Sequence, residues 1–254
     1  LVPVLLLGAC SGDDSADDDA AEPTGSRAPG EYPQSGPPGD PAPTIDRADV
    51  ESAVEAFGPI VEETMEATGV PGIAVAVVHD DEVVLSAGYG VREVGTDEPV
   101  GPGTAFPLAS LSKPVGSTVV ASVVGDGSIA WDQPLSEVGA AVSLADPWVE
   151  EHVTFADLYS HRTGLPPHAG DLLEDLGYDR DEVLERLGRY ELAPFRSSYA
   201  YTNFGMTAAA AAVAEVEGAS WEELSARRLY DPLGMESTTS AQGEFTSRAD
   251  RVAP

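Results

Sequence analysis

Apolar residues recur at helical spacing in the first periodic segment of the chain, residues 47–69. The side chains that fall on one side of the predicted helix are Val50, Val54, Phe57, Ile60, Val61 and Met65. Gly69 follows them as a stop signal. The next apolar segment, residues 72–90, is rich in β-branched residues around His79, Asp80 and Asp81. This composition predicts a β-hairpin, and a helix followed by a hairpin is typical of the start of an α/β sheet.

After Phe106 the pattern becomes mainly helical. Helix signals occur in residues 110–127, 154–166, 180–190 and 203–235. The last of these segments divides into two helices at Gly218, with Ser220 as the N-cap of the second. Pro114 fits the first segment only within the first turn of a helix, where no hydrogen-bonded N–H is needed. This constraint places Ser110 at or next to the start of that helix.

These patterns place the chain in the α+β class. Residues 46–107 are predicted to form the N-terminal part of an antiparallel sheet domain, and residues 108–240 a helical domain. A hairpin without further strands is marginally stable, and no strand pattern follows the helices. We therefore expect the remaining strands to be missing from this chain, with residues 241–254 as a truncated C-terminal segment.

The first ten residues resemble a bacterial-type lipoprotein signal. An apolar run from Leu1 to Leu7 is too short to span a membrane, and small residues precede Cys10, the only cysteine. We interpret residues 1–10 as a partial signal peptide with Cys10 as the lipid-attachment residue. An ordinary secretory signal with a chance cysteine is the alternative. The predicted location is extracytoplasmic, with a lipid anchor in the cell membrane.

Residues 11–45 consist mainly of Asp, Ala, Pro, Gly and Ser. Such a segment cannot bury enough apolar surface to offset the entropy lost on ordering, which predicts a disordered acidic linker. The whole chain has 44 Asp and Glu against 13 Lys and Arg, and its formal net charge of −31 excludes nucleic acid as a partner. Salt adaptation and GC-rich codon usage explain the scarcity of lysine equally well.

The only lysine of the chain is Lys113, three residues after Ser110. This spacing places both side chains on the same side of a helix. A desolvated lysine amine can give up its charge and accept a serine proton, whereas arginine stays protonated. The Ser110 amide N–H is among those that a helix start leaves free, and it can help to hold an oxyanion. The pair predicts a serine nucleophile, but the spacing is common enough that other segments must support it.

Four stretches occur in a fixed order along the chain. They are TAFPLASLSK (104–113), LYSHRTGLP (158–166), SYAYTNFGM (198–206) and LYDPLGMEST (229–238). Together they resemble the penicillin-recognising serine hydrolases, most closely the branch of class C β-lactamases, D,D-carboxypeptidases and related esterases. The resemblance covers residues 47–240 and implies a β-lactamase/transpeptidase-like fold.

The resemblance implies a role for four residues. Ser110 is the expected acylated nucleophile, and Lys113 is expected to lower its proton affinity. Tyr201 and Asn203 match the YxN element of the family, which makes Tyr201 the expected general base and leaving-group acid and Asn203 a residue that binds the substrate amide. From their spacing alone, Tyr201 and Asn203 also fit the segment before a helix, with Asn203 as the N-cap. Tyr199 is a rival for the base, but no Asn stands two residues after it.

The sequence gives little support for a catalytic histidine or for a metal site. His161 suggests a Ser-His-Asp triad, but it lies at the end of a predicted short helix, where a histidine can satisfy terminal carbonyl groups. We therefore expect a structural role for it. The other histidines lack paired spacing suited to zinc, and no metal or organic cofactor is predicted.

One element of the family pattern is absent from residues 1–254. Members carry a third motif, KTG or an H/W-x-G variant, on a strand that supplies a second oxyanion N–H, and no lysine follows Lys113. We expect this motif beyond residue 254, and the chain as given to be inactive without it. The predicted function is a serine hydrolase that forms an acyl-serine on amide, β-lactam or ester substrates. The alternative is a non-catalytic cell-surface pseudoenzyme that binds peptide or protein.

Overall fold

The computed structural model describes residues 45–140 and 142–253. The predicted signal peptide with Cys10 lies outside these residues, as does almost all of the predicted linker, so the lipid anchor stays a prediction. Arg47–Pro254 form one compact unit. The predicted boundary between residues 107 and 108 also stays a prediction.

The helices and strands of the described residues are numbered in chain order. They are α1 Arg47–Thr68, β1 Gly72–His79, β2 Glu82–Gly90, α2 Ser112–Gly125, α3 Pro147–His152, α4 Phe155–Tyr159, α5 Asp171–Asp175, α6 Arg180–Arg186, α7 Asn203–Val216, α8 Trp221–Ser225 and α9 Gln242–Ser247. Short 3-10 turns lie at Ala109–Leu111, Leu135–Val138 and Leu187–Arg189, and a π-helical turn at Ala226–Tyr230 continues α8.

The predicted helix and hairpin are confirmed. β1 and β2 pair antiparallel, with Asp80 and Asp81 in the turn at φ values of 49° and 61°. Helix α1 packs against both strands. One detail was wrong, because Ile60 is 56% exposed while Val61 is buried. Ile60 lies at the edge of the apolar stripe, about 100° around the helix from Val61, and therefore points away from the hairpin.

The hydrophobic core lies among the helices after residue 118. Its largest fully buried side chains include Val119, Val120, Val123, Leu135, Val153, Phe155, Leu158, Val183, Leu187 and Leu224. Helix α7 contributes a row of small residues, with Ala208, Ala209 and Ala212 all buried. Because alanine lets helix axes approach closely, α7 packs directly against α2 and α4. This packing brings the starts of α2 and α7, which are distant in sequence, to one place.

The mixture of a small antiparallel sheet and a larger helical part confirms the predicted α+β class. Helices α3, α5 and α9 were not predicted. The last described residues also pair with the segment before the nucleophile turn, since the Ala105 N–H donates to the Asp250 carbonyl at 3.0 Å and the Val252 N–H to the Ala105 carbonyl at 3.1 Å. Residues 241–253 are therefore packed onto the rest of the unit.

Candidate active site

Ser110 lies in the 3-10 turn Ala109–Leu111, directly before α2. Pro114 falls in the first turn of α2, as the sequence predicted. The preceding residue, Ala109, has a φ of 47°, a left-handed conformation that is uncommon for a residue with a Cβ. Ser110 is exposed, and among the described residues no carbonyl oxygen accepts a hydrogen bond from its amide N–H. The turn therefore presents an exposed serine whose amide N–H is not bonded to a described carbonyl oxygen.

The side chains of Ser110, Lys113 and Tyr201 meet at this turn. The Ser110 Oγ lies 2.6 Å from the Tyr201 phenol oxygen. Lys113 Nζ donates to the same Oγ at 3.2 Å and lies 4.4 Å from the centroid of the Tyr201 ring. The structure thus brings together the three residues to which the family resemblance assigns the proton transfers.

The surroundings of Tyr201 favour the loss of its proton. The Lys113 and Ser110 side chains beside it lower the pKa of the Tyr201 phenol, and this effect exceeds the opposing effects of burial and of the negative charge on Asp171. A lower pKa increases the fraction of phenolate at neutral pH. Tyr199, the rival for this role, is 67% exposed, and its ring contacts His161 rather than Ser110.

Asn203 connects the lysine to a carboxylate. Its Oδ1 accepts from Lys113 Nζ at 2.6 Å, and its Nδ2 donates to Asp171 Oδ2 at 2.9 Å. His168 Nδ1 lies 2.9 Å from the same oxygen. The main chain of His168 also contacts the site, because its N–H donates to the Tyr201 carbonyl at 2.8 Å. Sequence reasoning missed Asp171 and His168, since neither belongs to a motif.

The loop that carries Tyr201 is held by the segment after α4. Backbone N–H groups of Ala193, Arg196 and Ala200 donate to carbonyls of the facing residues 161–164 at 2.8 to 3.0 Å. The close fit continues into α7, where a Cβ on Gly205 would lie 2.4 Å from the Thr202 Oγ1. A glycine at this position is therefore required for the first turn of α7 to approach the loop.

A buried ion pair supports the same loop. Asp157 is only 7% exposed and accepts two hydrogen bonds from Arg196, at 2.8 and 2.7 Å. The Thr154 N–H and hydroxyl donate to the same carboxylate at 3.1 and 2.8 Å. Burial alone would raise the pKa of Asp157, but the hydrogen bonds from Arg196 and Thr154 outweigh burial and hold the pKa below its ordinary value.

His161 is buried and does not contact Ser110 by a hydrogen bond. Its Nδ1 accepts the Thr202 N–H at 3.2 Å, and its ring lies 5.0 Å from the ring of Tyr201. Burial, with a smaller contribution from the charge of Lys113, lowers the pKa of His161, so the ring is neutral at pH 7. These contacts are those of a residue that positions the Tyr201 loop.

Neither a metal centre nor a membrane span is found in the described part of the chain. No group of three or more His, Cys, Asp or Glu side chains there could hold a metal ion. Within the same residues, no helix has both the length and the apolar character needed to cross a bilayer.

The model of the Beta-lactamase family matches residues 57–254. The chain therefore belongs to the Beta-lactamase family, within the penicillin-recognising serine hydrolases that the four sequence stretches had indicated. The fold agrees, because an octameric penicillin-binding protein homologue from Pyrococcus abyssi superposes with a TM-score of 0.67 over 78% of this chain and 47% of that chain, at 23% identity. This confirms the β-lactamase/transpeptidase-like fold.

Two relatives by sequence are hydrolases. The unguisins hydrolase of Aspergillus campestris is 28% identical over 191 residues, which are 72% of this chain and 35% of that protein. A D-aminopeptidase of Brucella anthropi is 28% identical over 176 residues, 66% of this chain and 32% of that protein. The chain thus spans about a third of the length of these relatives.

Proposed function

We propose that this chain carries the acylation machinery of a serine hydrolase that acts through an acyl-Ser110 intermediate. The observation that carries the proposal is the contact of one hydroxyl with two proton-handling groups, the Tyr201 phenol at 2.6 Å and the Lys113 Nζ at 3.2 Å. A serine hydroxyl is a weak nucleophile until a neighbouring group takes its proton. Both neighbours here are within hydrogen-bond reach.

In the acylation step the Tyr201 oxygen takes the Ser110 proton while Oγ attacks the carbonyl carbon of the substrate. Lys113 Nζ donates to Asn203 Oδ1 and to Oγ, so it acts in this arrangement as a hydrogen-bond donor that stabilises negative charge on Oγ. The Ser110 amide N–H makes no hydrogen bond to a described carbonyl oxygen and can donate to the developing oxyanion. The bond to the leaving group then breaks, and Tyr201 returns the proton to that group.

Deacylation completes the cycle with a water molecule. Tyr201 takes a proton from the water, the hydroxide attacks the acyl carbon, and the proton goes back to Ser110 Oγ as the acid leaves. This chemistry suits an amide, a β-lactam or an ester, because each presents a carbonyl carbon with a leaving group. The proposal is supported by relatives whose names denote a D-aminopeptidase and an unguisins hydrolase.

The test is covalent labelling of the complete protein with a fluorophosphonate and with a fluorescent penicillin. We expect the natural sequence to be labelled and Ser110→Ala to lose labelling entirely. Ser112→Ala is the matched control, because Ser112 is an exposed serine two residues away in the chain. We expect that variant to label normally.

Tyr201→Phe supplies the second arm of this test. Removing a general base slows proton transfer by about 100- to 10,000-fold, so we expect labelling of this variant only after long incubation. Labelling of Ser110→Ala at the normal rate would overturn the proposal. Absence of labelling in the natural sequence, together with retained binding of peptidoglycan peptides, would favour the non-catalytic alternative.

A further inference from the structure

We propose that Asp171 is a positioning residue that fixes the orientation of the Asn203 amide and thereby the place of Lys113. This inference rests on the proposed function. The four groups form a chain in space, in which Lys113 Nζ donates to Asn203 Oδ1, Asn203 Nδ2 donates to Asp171 Oδ2, and His168 Nδ1 lies 2.9 Å from the same oxygen.

The two ends of the Asn203 amide have opposite requirements. Its oxygen faces a group that only donates hydrogen bonds, and its nitrogen faces a carboxylate that, when ionised, only accepts them. If the amide rotated by 180°, its N–H groups would face Lys113 and its oxygen would face Asp171. Both hydrogen bonds would be lost and both contacts would become repulsive. Asp171 therefore selects one orientation of Asn203, the one that holds Lys113.

The place of Lys113 matters because its Nζ also donates to the nucleophile. A 3.2 Å contact to Ser110 Oγ leaves little room for displacement before the hydrogen bond is lost. Without Asn203 Oδ1, Nζ would lose its shortest hydrogen bond, at 2.6 Å, and would keep only its contacts with Ser110 and Tyr201. The effect of Asp171 on the reaction is thus transmitted through Asn203.

The two oxygens of the Asp171 carboxylate differ in their contacts, and the hydrogen bonds to described residues are made by the oxygen that faces Asn203. The Asp171 Oδ1 is buried and has no hydrogen-bond partner among the described residues. A buried carboxylate oxygen without a partner costs stability. Oδ2, in contrast, receives the Asn203 N–H and, because a carboxylate only accepts, also the His168 N–H.

The backbone gives Asp171 its place beside Asn203. Gly170 has a φ of 95°, and a Cβ there would lie 2.7 Å from a Val183 methyl and 2.8 Å from the Phe204 ring. Phe204 directly follows Asn203 in α7, so this close approach holds the residue after Gly170 against the start of α7. His168 connects the same segment to Tyr201. Its backbone N–H donates to the Tyr201 carbonyl, and the two side-chain rings lie 5.4 Å apart.

The experiment is a double-mutant cycle on the rate of Ser110 labelling by a fluorophosphonate in the complete protein. Asp171→Ala is expected to slow labelling by about ten- to a hundredfold, the range for a misplaced catalytic group. Asn203→Ala is expected to slow it by a similar factor. Because Asp171 acts through Asn203, the double variant should be no slower than Asn203→Ala alone. Multiplied effects in the double variant would overturn the inference.

Two further variants separate positioning from folding. Asp171→Asn keeps the shape and one acceptor oxygen but no longer repels a rotated Asn203, so it should label at an intermediate rate. Asp175→Ala removes the same charge from an exposed position on the same helix and should label within about twofold of the natural sequence. The thermal midpoint of Asp171→Asn should stay close to that of the natural sequence, because the variant keeps the shape of the side chain and one acceptor oxygen.

The outcomes distinguish this inference from the proposed function. If the natural sequence is not labelled, or if Ser110→Ala is labelled, the proposed function fails. If labelling depends on Ser110 but Asp171→Ala labels as fast as Asp175→Ala, only the inference fails. If the thermal midpoint of Asp171→Asn fell in proportion to its labelling rate, Asp171 would have a structural role. That result would also overturn the inference.

Discussion

The helical region that holds the candidate site and the region formed by α1 and the hairpin differ in how much they bury. Side chains at 0% exposure include Val120 in α2, Leu158 in α4 and Val213 in α7. Among the described residues, α1, β1 and β2 together contain one buried residue, Val61. The first region is stabilised by a packed core, and the second mainly by strand pairing and one covered face.

This difference bears on where the chemistry can be built. Hydrogen bonds of 2.6 to 3.2 Å among Ser110, Lys113, Tyr201 and Asn203 require backbones that stay in place. Each of these residues lies at the start of α2 or α7 or directly before it, and both helices are anchored in the core. The hairpin supplies no residue of this cluster. Substitutions should therefore affect the two regions unequally.

The largest expected effect is loss of a core leucine. Leu158→Ala should lower the free energy of unfolding by about 2–5 kcal/mol, because it removes a fully buried side chain between α4 and α7 and leaves a cavity. Leu85→Ala in β2, where the side chain is only half-buried, should cost about 1 kcal/mol. Urea unfolding of both variants measures the difference. Equal losses would show that the hairpin is as well packed as the helical region.

The second prediction tests the tight backbone beside the site. Gly170→Ala should cost about 3 kcal/mol, since the left-handed φ of 95° is strained for alanine and the new Cβ would overlap Val183 and Phe204. Gly177→Ala is the matched control, with a φ of 90° and no atom within 4 Å of the new Cβ. It should cost only about 1–2 kcal/mol. If thermal unfolding shows the same loss for both, close packing at Gly170 is not what holds α5.

The third prediction concerns the buried carboxylate behind the Tyr201 loop. Arg196→Met should cost about 2 kcal/mol at pH 7, because Asp157 keeps its burial and loses its bidentate partner, while half of the Arg196 side chain is exposed to screening solvent. The control Arg180→Met breaks an exposed pair with Asp181 and should cost less than about 0.5 kcal/mol.

The same ion pair sets a pH dependence. The pKa of Asp157 is lower in the folded chain than in the unfolded chain. Its stabilising contribution is therefore complete above the unfolded-state pKa of about 4 and is lost as the pH falls through the folded-state pKa. Acid unfolding below about pH 4 should be less steep in Arg196→Met than in the natural sequence. An unchanged slope would show that Asp157 does not contribute to acid unfolding.

Local signals predicted the parts of the fold and the site that depend on neighbouring residues. The need for Pro114 to occupy a first turn was enough to place Ser110 at the start of α2. The YxN match was enough to prefer Tyr201 over Tyr199. Helices α3, α5 and α9 have only five or six residues, too few to show a 3.6-residue period. The equally short α4 and α8 were predicted because they lie in longer segments with helix signals, α8 also after the Ser220 N-cap.

Contacts between distant segments that belong to no motif could not be predicted from the sequence. Asp171 and Asn203 are separated by 32 residues, and they meet only because Gly170 allows a close approach to α7. Asp171 belongs to no sequence motif, so its proposed role can be inferred only from its contacts in the structure. The pairing of Ala105 with residues near Arg251 is non-local in the same way.

The smallest expected effect lies in the hairpin turn, and its sign is opposite to the others. Asp80 and Asp81 both have positive φ, the conformation of a type I′ turn, in which glycine is preferred at the second position. Asp81→Gly should therefore raise the free energy of unfolding by about 0.5 kcal/mol, the strain relieved being partly offset by a more flexible unfolded chain. Asp97→Gly removes the same charge from an exposed loop residue whose φ is not positive, and it should lower stability slightly. Urea unfolding measures the change, and a loss of stability in Asp81→Gly would show that side-chain contacts rather than backbone conformation hold this turn.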